Sequence, residues 1–163
     1  MTMARSDAEV SVQQPLLDRL IDLEPSSTVE APQTRAMAVR VLKEALRRDL
    51  EWLLNTRRTP LDAPKAYREL TRSVFVYGLP DLSGISLNSF DDELQLLSVI
   101  EKAIATFEPR LSHVKVTPRE PLDRRERMLH FQIDGLLMVD PAPESISFDT
   151  VLNVERGNCE VKG

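Results

Sequence analysis

One cysteine, Cys159, is present among 163 residues, so the chain can form neither an internal disulfide nor a multi-cysteine metal site. That usage fits a reducing compartment. Nothing near Cys159 except Lys162 could activate its thiol, so we read it as incidental. The apolar runs are short, Leu136-Leu137-Met138-Val139 being typical, and fall far below the roughly 20 residues that span a bilayer. Residues 1–14 carry acids and no apolar stretch of the secretory kind, so the expected location is the cytoplasm, without membrane insertion. Positive charge is not in excess either. With 21 basic and 26 acidic residues the net charge is −5, which gives no general reason to bind nucleic acid. Aromatics are scarce, with one tryptophan and two tyrosines, leaving little surface on which sugars could stack. There is no glycine-rich phosphate loop, HExxH pattern or nucleophile elbow. His113 and His130, lacking a third ligand, make a poor metal site, and no cofactor is implied.

The hydrophobic content, 42%, suits one globular domain with a real core. Residues 1–32 differ from the rest: six acids face two arginines, and Pro15, Pro25 and Pro32 bracket Ser26, Ser27 and Thr28. This composition predicts a flexible N-terminal arm. Within it Leu16, Leu17, Leu20 and Ile21 fall on one side of a short helix begun by Pro15. So short a helix is marginal in water unless it packs on something, which makes it a candidate docking element.

Residues 33–163 form the domain proper. Met37, Val41, Leu42, Ala45, Leu46, Leu50, Leu53 and Leu54 recur every three or four residues and predict a helix over 33–55, ended near Asn55 and barred from continuing by Pro60. Thr59 to Asp91 is rich in turn residues and reads as a long loop with one or two helical turns. A second helix, from about Asp91 to Phe107, begins at Asn88 or Ser89 and offers Leu94, Leu97, Ile100, Ile104 and Phe107 for burial. Pro109 stops it. From residue 112 the apolar period becomes two, predicting three antiparallel strands and a short fourth at Glu160-Val161. The expected fold is therefore α+β: two main helices packed on one face of a small antiparallel sheet of three to four strands.

Two charged runs stand out. Arg47, Arg48, Arg57 and Arg58 cluster around one helix end and could form an exposed anion-accepting patch, although such patches are commonly just solvated. The triplet Glu108-Pro109-Arg110 joins the second helix to the first strand. Pro109 fixes the backbone there, while Arg110 offers a planar donor and Glu108 an acceptor, either to each other or to a neighbouring subunit.

The triplet, the run Arg47 to Arg58 and the segment Tyr77-Gly78-Leu79-Pro80-Asp81, in this order with the later strands, resemble the lysozyme-like baseplate-wedge family of contractile phage tails over about residues 33–155. Within that family the likeness is greatest to the baseplate subunits of bacterial type VI secretion systems. The resemblance implies a structural role in a wedge with TssF and TssG, contact with TssK, and a platform for the TssB/TssC sheath. It also implies a baseplate at the cytoplasmic side of the inner membrane, and makes Glu108, Pro109 and Arg110 interface residues. An open sheet edge could serve such an assembly by accepting a strand from another chain. If the triplet serves the assembly, Arg110→Ala should barely move the melting temperature.

The family label suggests a peptidoglycan hydrolase as an alternative, and a small adaptor for an unrelated regulatory partner is another. Hydrolysis needs a protonated carboxyl facing a second carboxylate across the sugar. Glu108 suits this badly, because the neighbouring Arg110 stabilises the carboxylate, so we expect no enzyme activity.

Overall fold

The computed structural model describes residues 15–21, 34–61, 63–64, 66–82, 89–119 and 128–163. The remainder of the arm, the alternative cap Asn88 and the charged connection at 120–127 lie outside the described residues. In chain order the elements are α1 (Leu16–Leu20), α2 (Arg35–Asn55), two 3₁₀ turns (Arg68–Arg72 and Val74–Val76), α3 (Phe90–Phe107), β1 (Leu111–Pro118), β2 (Met128–Leu137), β3 (Glu144–Asn153) and β4 (Asn158–Lys162). The four strands form one antiparallel meander in the order β1-β2-β3-β4. This is the α+β arrangement expected, with the fourth strand a full member of the sheet.

Local chemistry sets the helix limits. The Thr34 hydroxyl accepts from the Met37 N–H at 3.4 Å to open α2, and the Ser89 hydroxyl accepts from the Asp92 N–H at 3.2 Å to open α3. Asp91, Asp92 and Glu93 add negative charge at the positive end of the α3 dipole. Ala38, Val39, Leu42, Ala45, Leu46, Leu50, Leu53 and Leu54 of α2 are buried, as are Leu96, Leu97, Ile100 and Ile104 of α3. Of the other expected core residues, Val41 and Phe107 are only partly buried, and two are exposed. At about 100° per residue, Met37 falls opposite the α2 stripe and is 60% exposed. The α3 stripe reaches its first turn at Glu93, so Leu94 lies on the flank and is also exposed.

Both helices cover the same sheet face, α3 along β1 and α2 along β4. That face presents Leu129, Phe131, Ile133 and Leu137 of β2, Ile146, Phe148, Thr150 and Leu152 of β3, and Cys159 and Val161 of β4. The period of two is interrupted in β1, where a bulge between Ser112 and Lys115 holds His113 at φ 52°.

The expected open edge is absent at β4. The Asn55 side-chain amide donates to the Cys159 carbonyl and accepts from the Cys159 N–H, both at 2.8 Å, as a neighbouring strand would. Arg47 donates to the Val161 carbonyl at 3.1 Å. Along β1 the Glu101 carboxylate accepts from the Val116 N–H at 2.9 Å, and Pro118 has no N–H to offer. Side chains from the helices thus occupy edge groups that strand addition would require.

Asn55→Ala removes both bonds to Cys159 and bares that edge. The urea midpoint should fall by an amount equivalent to about 1–3 kcal/mol, with new concentration-dependent self-association in sedimentation. An unchanged midpoint would mean that the α2 to β4 clamp contributes nothing.

Candidate functional site: a charged chain across three elements

The site is built where α3 ends. The Glu108 N–H donates to the Ile104 carbonyl at 2.8 Å as the last helical bond, and the turn through Pro109 closes when the Leu111 N–H donates to the Glu108 carbonyl at 3.1 Å. This turn folds Arg110 back onto its own triplet. Arg110 Nε donates to Glu108 Oε1 at 2.6 Å, and Arg110 Nη2 donates to Glu108 Oε2. Glu108 is only 6% exposed, so its carboxylate depends on this partner for its charge balance.

The pair does not stand alone. Arg110 Nη2 also reaches Asp49 Oδ2 of α2 at 2.7 Å. Asp49 Oδ1 accepts from Arg48 Nε and Nη2 at 3.1 and 2.9 Å, and Arg48 Nη1 donates to Asp18 Oδ1 of α1 at 2.7 Å. Five alternating charges, Glu108, Arg110, Asp49, Arg48 and Asp18, therefore connect the α3 to β1 bend through α2 to α1. The hydrogen bond to Glu108, ahead of the nearby charges, raises Arg110 above the ordinary arginine range. Bonds to Asp18 and then Asp49 raise Arg48 likewise.

Tyr77 closes the other side. Its ring meets Phe107 edge-on at 5.2 Å, and burial, followed by the charges of Asp49 and Glu108, pushes its phenol pKa up. Next to it Gly78 has φ +100°, and a Cβ there would run into the Thr56 carbonyl, so this crossing requires glycine. The three sequence runs singled out above consequently meet at one place.

Three of the four arginines in the expected patch have partners within the chain. Arg47 is engaged by Glu44, Glu51 and Val161, and Arg48 by Asp18 and Asp49 while lying 5.0 Å over the Trp52 ring. Arg57 donates to the carbonyls of Leu54 and Gly157. Arg58 alone of the four extends to solvent without a side-chain partner among the described residues. Of the arginines that read as clustered in sequence, Arg47 and Arg48 are paired with acids, whereas Arg57 bonds backbone carbonyls. Asp49 and Asp18, the acids that organise the site, carry no local signature; both lay in the runs considered and neither was distinguished.

The apolar residues of α1 and its C-terminal neighbour are uncovered. Leu16, Leu17, Leu20 and Ile21 are all exposed, Leu20 by 74%, while Asp18 on the opposite side is the residue turned inward. Cys159 is buried, which pushes its thiol up to about 12 and leaves it protonated at neutral pH. A groove of about 540 Å³ between Arg35, Arg40, Lys43 and Glu144 includes no member of the charged chain.

Charged groups paired with each other, at a bend rather than in a cleft, describe a structural element. The chain belongs to the baseplate wedge protein gp25 family, which it matches over residues 40–142, a span that contains Asp49, Tyr77 and the whole triplet. Among solved structures it is similar to a chain of "The baseplate complex from the type VI secretion system", at 18% identity and a TM-score of 0.49, covering 77% of this chain and 96% of that one. Comparison with curated proteins finds no match.

The geometry reverses the expectation that Arg110→Ala is neutral for the fold. Losing Arg110 strands the Glu108 carboxylate, and the unfolding free energy should drop by about 2–4 kcal/mol, less than for a fully buried pair because Arg110 and Asp49 are partly exposed. The double variant Glu108→Ala/Arg110→Ala should recover part of that loss. Denaturant unfolding of all three proteins checks this, and wild-type stability in Arg110→Ala would contradict it.

Proposed function

We propose that this chain is the TssE-like wedge subunit of a type VI secretion baseplate, a scaffold without catalytic activity. The observation that carries the reading is the meeting of Asp49, Tyr77, Glu108 and Arg110 within the segment matched by the wedge family. In the assembly we assign it to a complex with TssF and TssG, in contact with TssK, from which the TssB/TssC sheath polymerises at the cytoplasmic side of the inner membrane. The charged chain keeps the bend and α1 in fixed relation, so the subunit offers its partners a rigid surface.

Glu108, Pro109 and Arg110 belong to this interface as a shape rather than as free charges. Arg110 Nη1 is buried with no partner among the described residues, so the triplet meets a neighbouring subunit through the fixed course of its backbone. Arg47, Arg48 and Arg57 act by positioning. Leu16, Leu17, Leu20 and Ile21 form a direct contact, since a helix held by its polar side presents its apolar side outward. A hydrolase reading finds no support in the site, because both Glu108 oxygens accept from Arg110 and the nearby Asp49 carboxylate is tied to the same guanidinium.

Co-expression with TssF and TssG tests the proposal. Leu17→Asp/Leu20→Asp should leave the melting temperature unchanged but weaken capture at least about tenfold, because burial of each leucine contributes roughly 1.5–3 kcal/mol. Equal capture of wild type and variant would remove the docking role of α1. Absence of any wild-type complex, or turnover of purified cell wall, would remove the wedge reading.

A further inference from the structure

We propose that the loop from Arg58 to Val74 is a docking surface for an acidic, amphipathic segment of another protein chain. The loop is pinned at its neck: the Arg58 N–H donates to the Leu79 carbonyl at 2.9 Å and the Leu79 N–H donates to the Thr56 carbonyl at 2.8 Å. Beyond the neck, its two 3₁₀ turns are locally hydrogen-bonded. Thr71 Oγ1 donates to the Arg68 carbonyl at 2.7 Å, and Ser73 Oγ donates to the Leu70 carbonyl at 3.0 Å and accepts from the Phe75 N–H at 3.2 Å. Yet neither turn buries a single residue. A long loop whose described residues are bonded in this way yet add nothing to the buried core is a functional feature more often than a structural one.

Its exposed side chains state what it would bind. Leu61, Tyr67 and Val74 are 68%, 64% and 88% exposed. Arg58, Arg68 and Arg72 are exposed among them, and none has an ion pair or side-chain hydrogen bond among the described residues. Arg68, Glu69, Thr71 and Arg72 line a shallow groove of about 460 Å³. Among the described residues of the loop, three unpaired arginines against Glu69 make this a locally basic surface on a chain of net charge −5. Tyrosine and arginine beside aliphatic side chains are also the residues that carry binding energy at protein interfaces. The complement is a segment with apolar residues on one side and carboxylates flanking them. An anionic membrane fits less well, since three cations supply only about 1 kcal/mol each near such a surface and stable attachment draws on clusters of four to eight.

The surface is separate from α1 and from the charged chain, so its test does not require the wedge. The full chain is titrated against a labelled synthetic peptide of about 20 residues with leucines at helical spacing and glutamates elsewhere, against the same peptide with lysines, and against phosphatidylserine vesicles. The acidic peptide should bind, the lysine peptide should not, and Arg68→Glu/Arg72→Glu and Val74→Asp should each weaken binding at least about tenfold with unchanged melting temperature. The proposal is overturned if the acidic peptide binds no better than the lysine peptide or binds both variants as it does the wild type. Vesicle binding that the double variant abolishes, with no binding of the acidic peptide, would equally overturn it by assigning the surface to membrane.

Discussion

Asp49 accepts from two arginines at once, Arg48 through one carboxylate oxygen and Arg110 through the other, and this double engagement determines how the outer elements sit on the core. Without it the bend would keep its own Glu108 to Arg110 pair and α1 its bond from Asp18 to Arg48, with no charged link between the two. Arg110 neutralises the buried Glu108 and Arg48 holds Asp18, but only Asp49 makes the two pairs into one chain. Alternating charges of this kind add little net stability compared with apolar packing of equal volume. Their effect is geometric: each guanidinium is planar and accepts only a narrow set of carboxylate positions.

That division of labour explains the rest of the architecture. The leucine stripes of α2 and α3 and the inward face of the sheet supply the burial that drives folding, while polar side chains decide what remains available outside. Asn55, Arg47 and Glu101 occupy edge groups of β4 and β1. Asp18 turns the apolar side of α1 outward. Among the described residues, α1 with its C-terminal neighbour and the loop before Tyr77 carry seven exposed large apolar side chains, Leu16, Leu17, Leu20, Ile21, Leu61, Tyr67 and Val74.

The periodic parts of this design were legible in the sequence. Spacing by three and four placed α2 and α3, alternation by two placed the strands, and Pro109 marked the bend, because each signal lies within a few consecutive residues. Met37 and Leu94 were misassigned because apolar character alone does not tell which side of a helix faces the sheet. The arginine cluster misled for a different reason. Its donors are occupied partly by Asp18 and by the Val161 and Gly157 carbonyls, brought from distant positions, and no local pattern reports a contact spanning that many residues. Asn55 likewise reads as a helix end and acts also as a surrogate strand.

Hydrogen exchange of Asp49→Asn tests the coupling most directly. Asparagine keeps the shape of the side chain but loses the charge that holds both arginines, so amides of residues 16–20 and of 110–112 should exchange faster together, while the buried centre of α2 and of β2 remains protected. Faster exchange at only one of the two ends, or at neither, would show that the bend and α1 are held independently and that the charged chain is not what joins them.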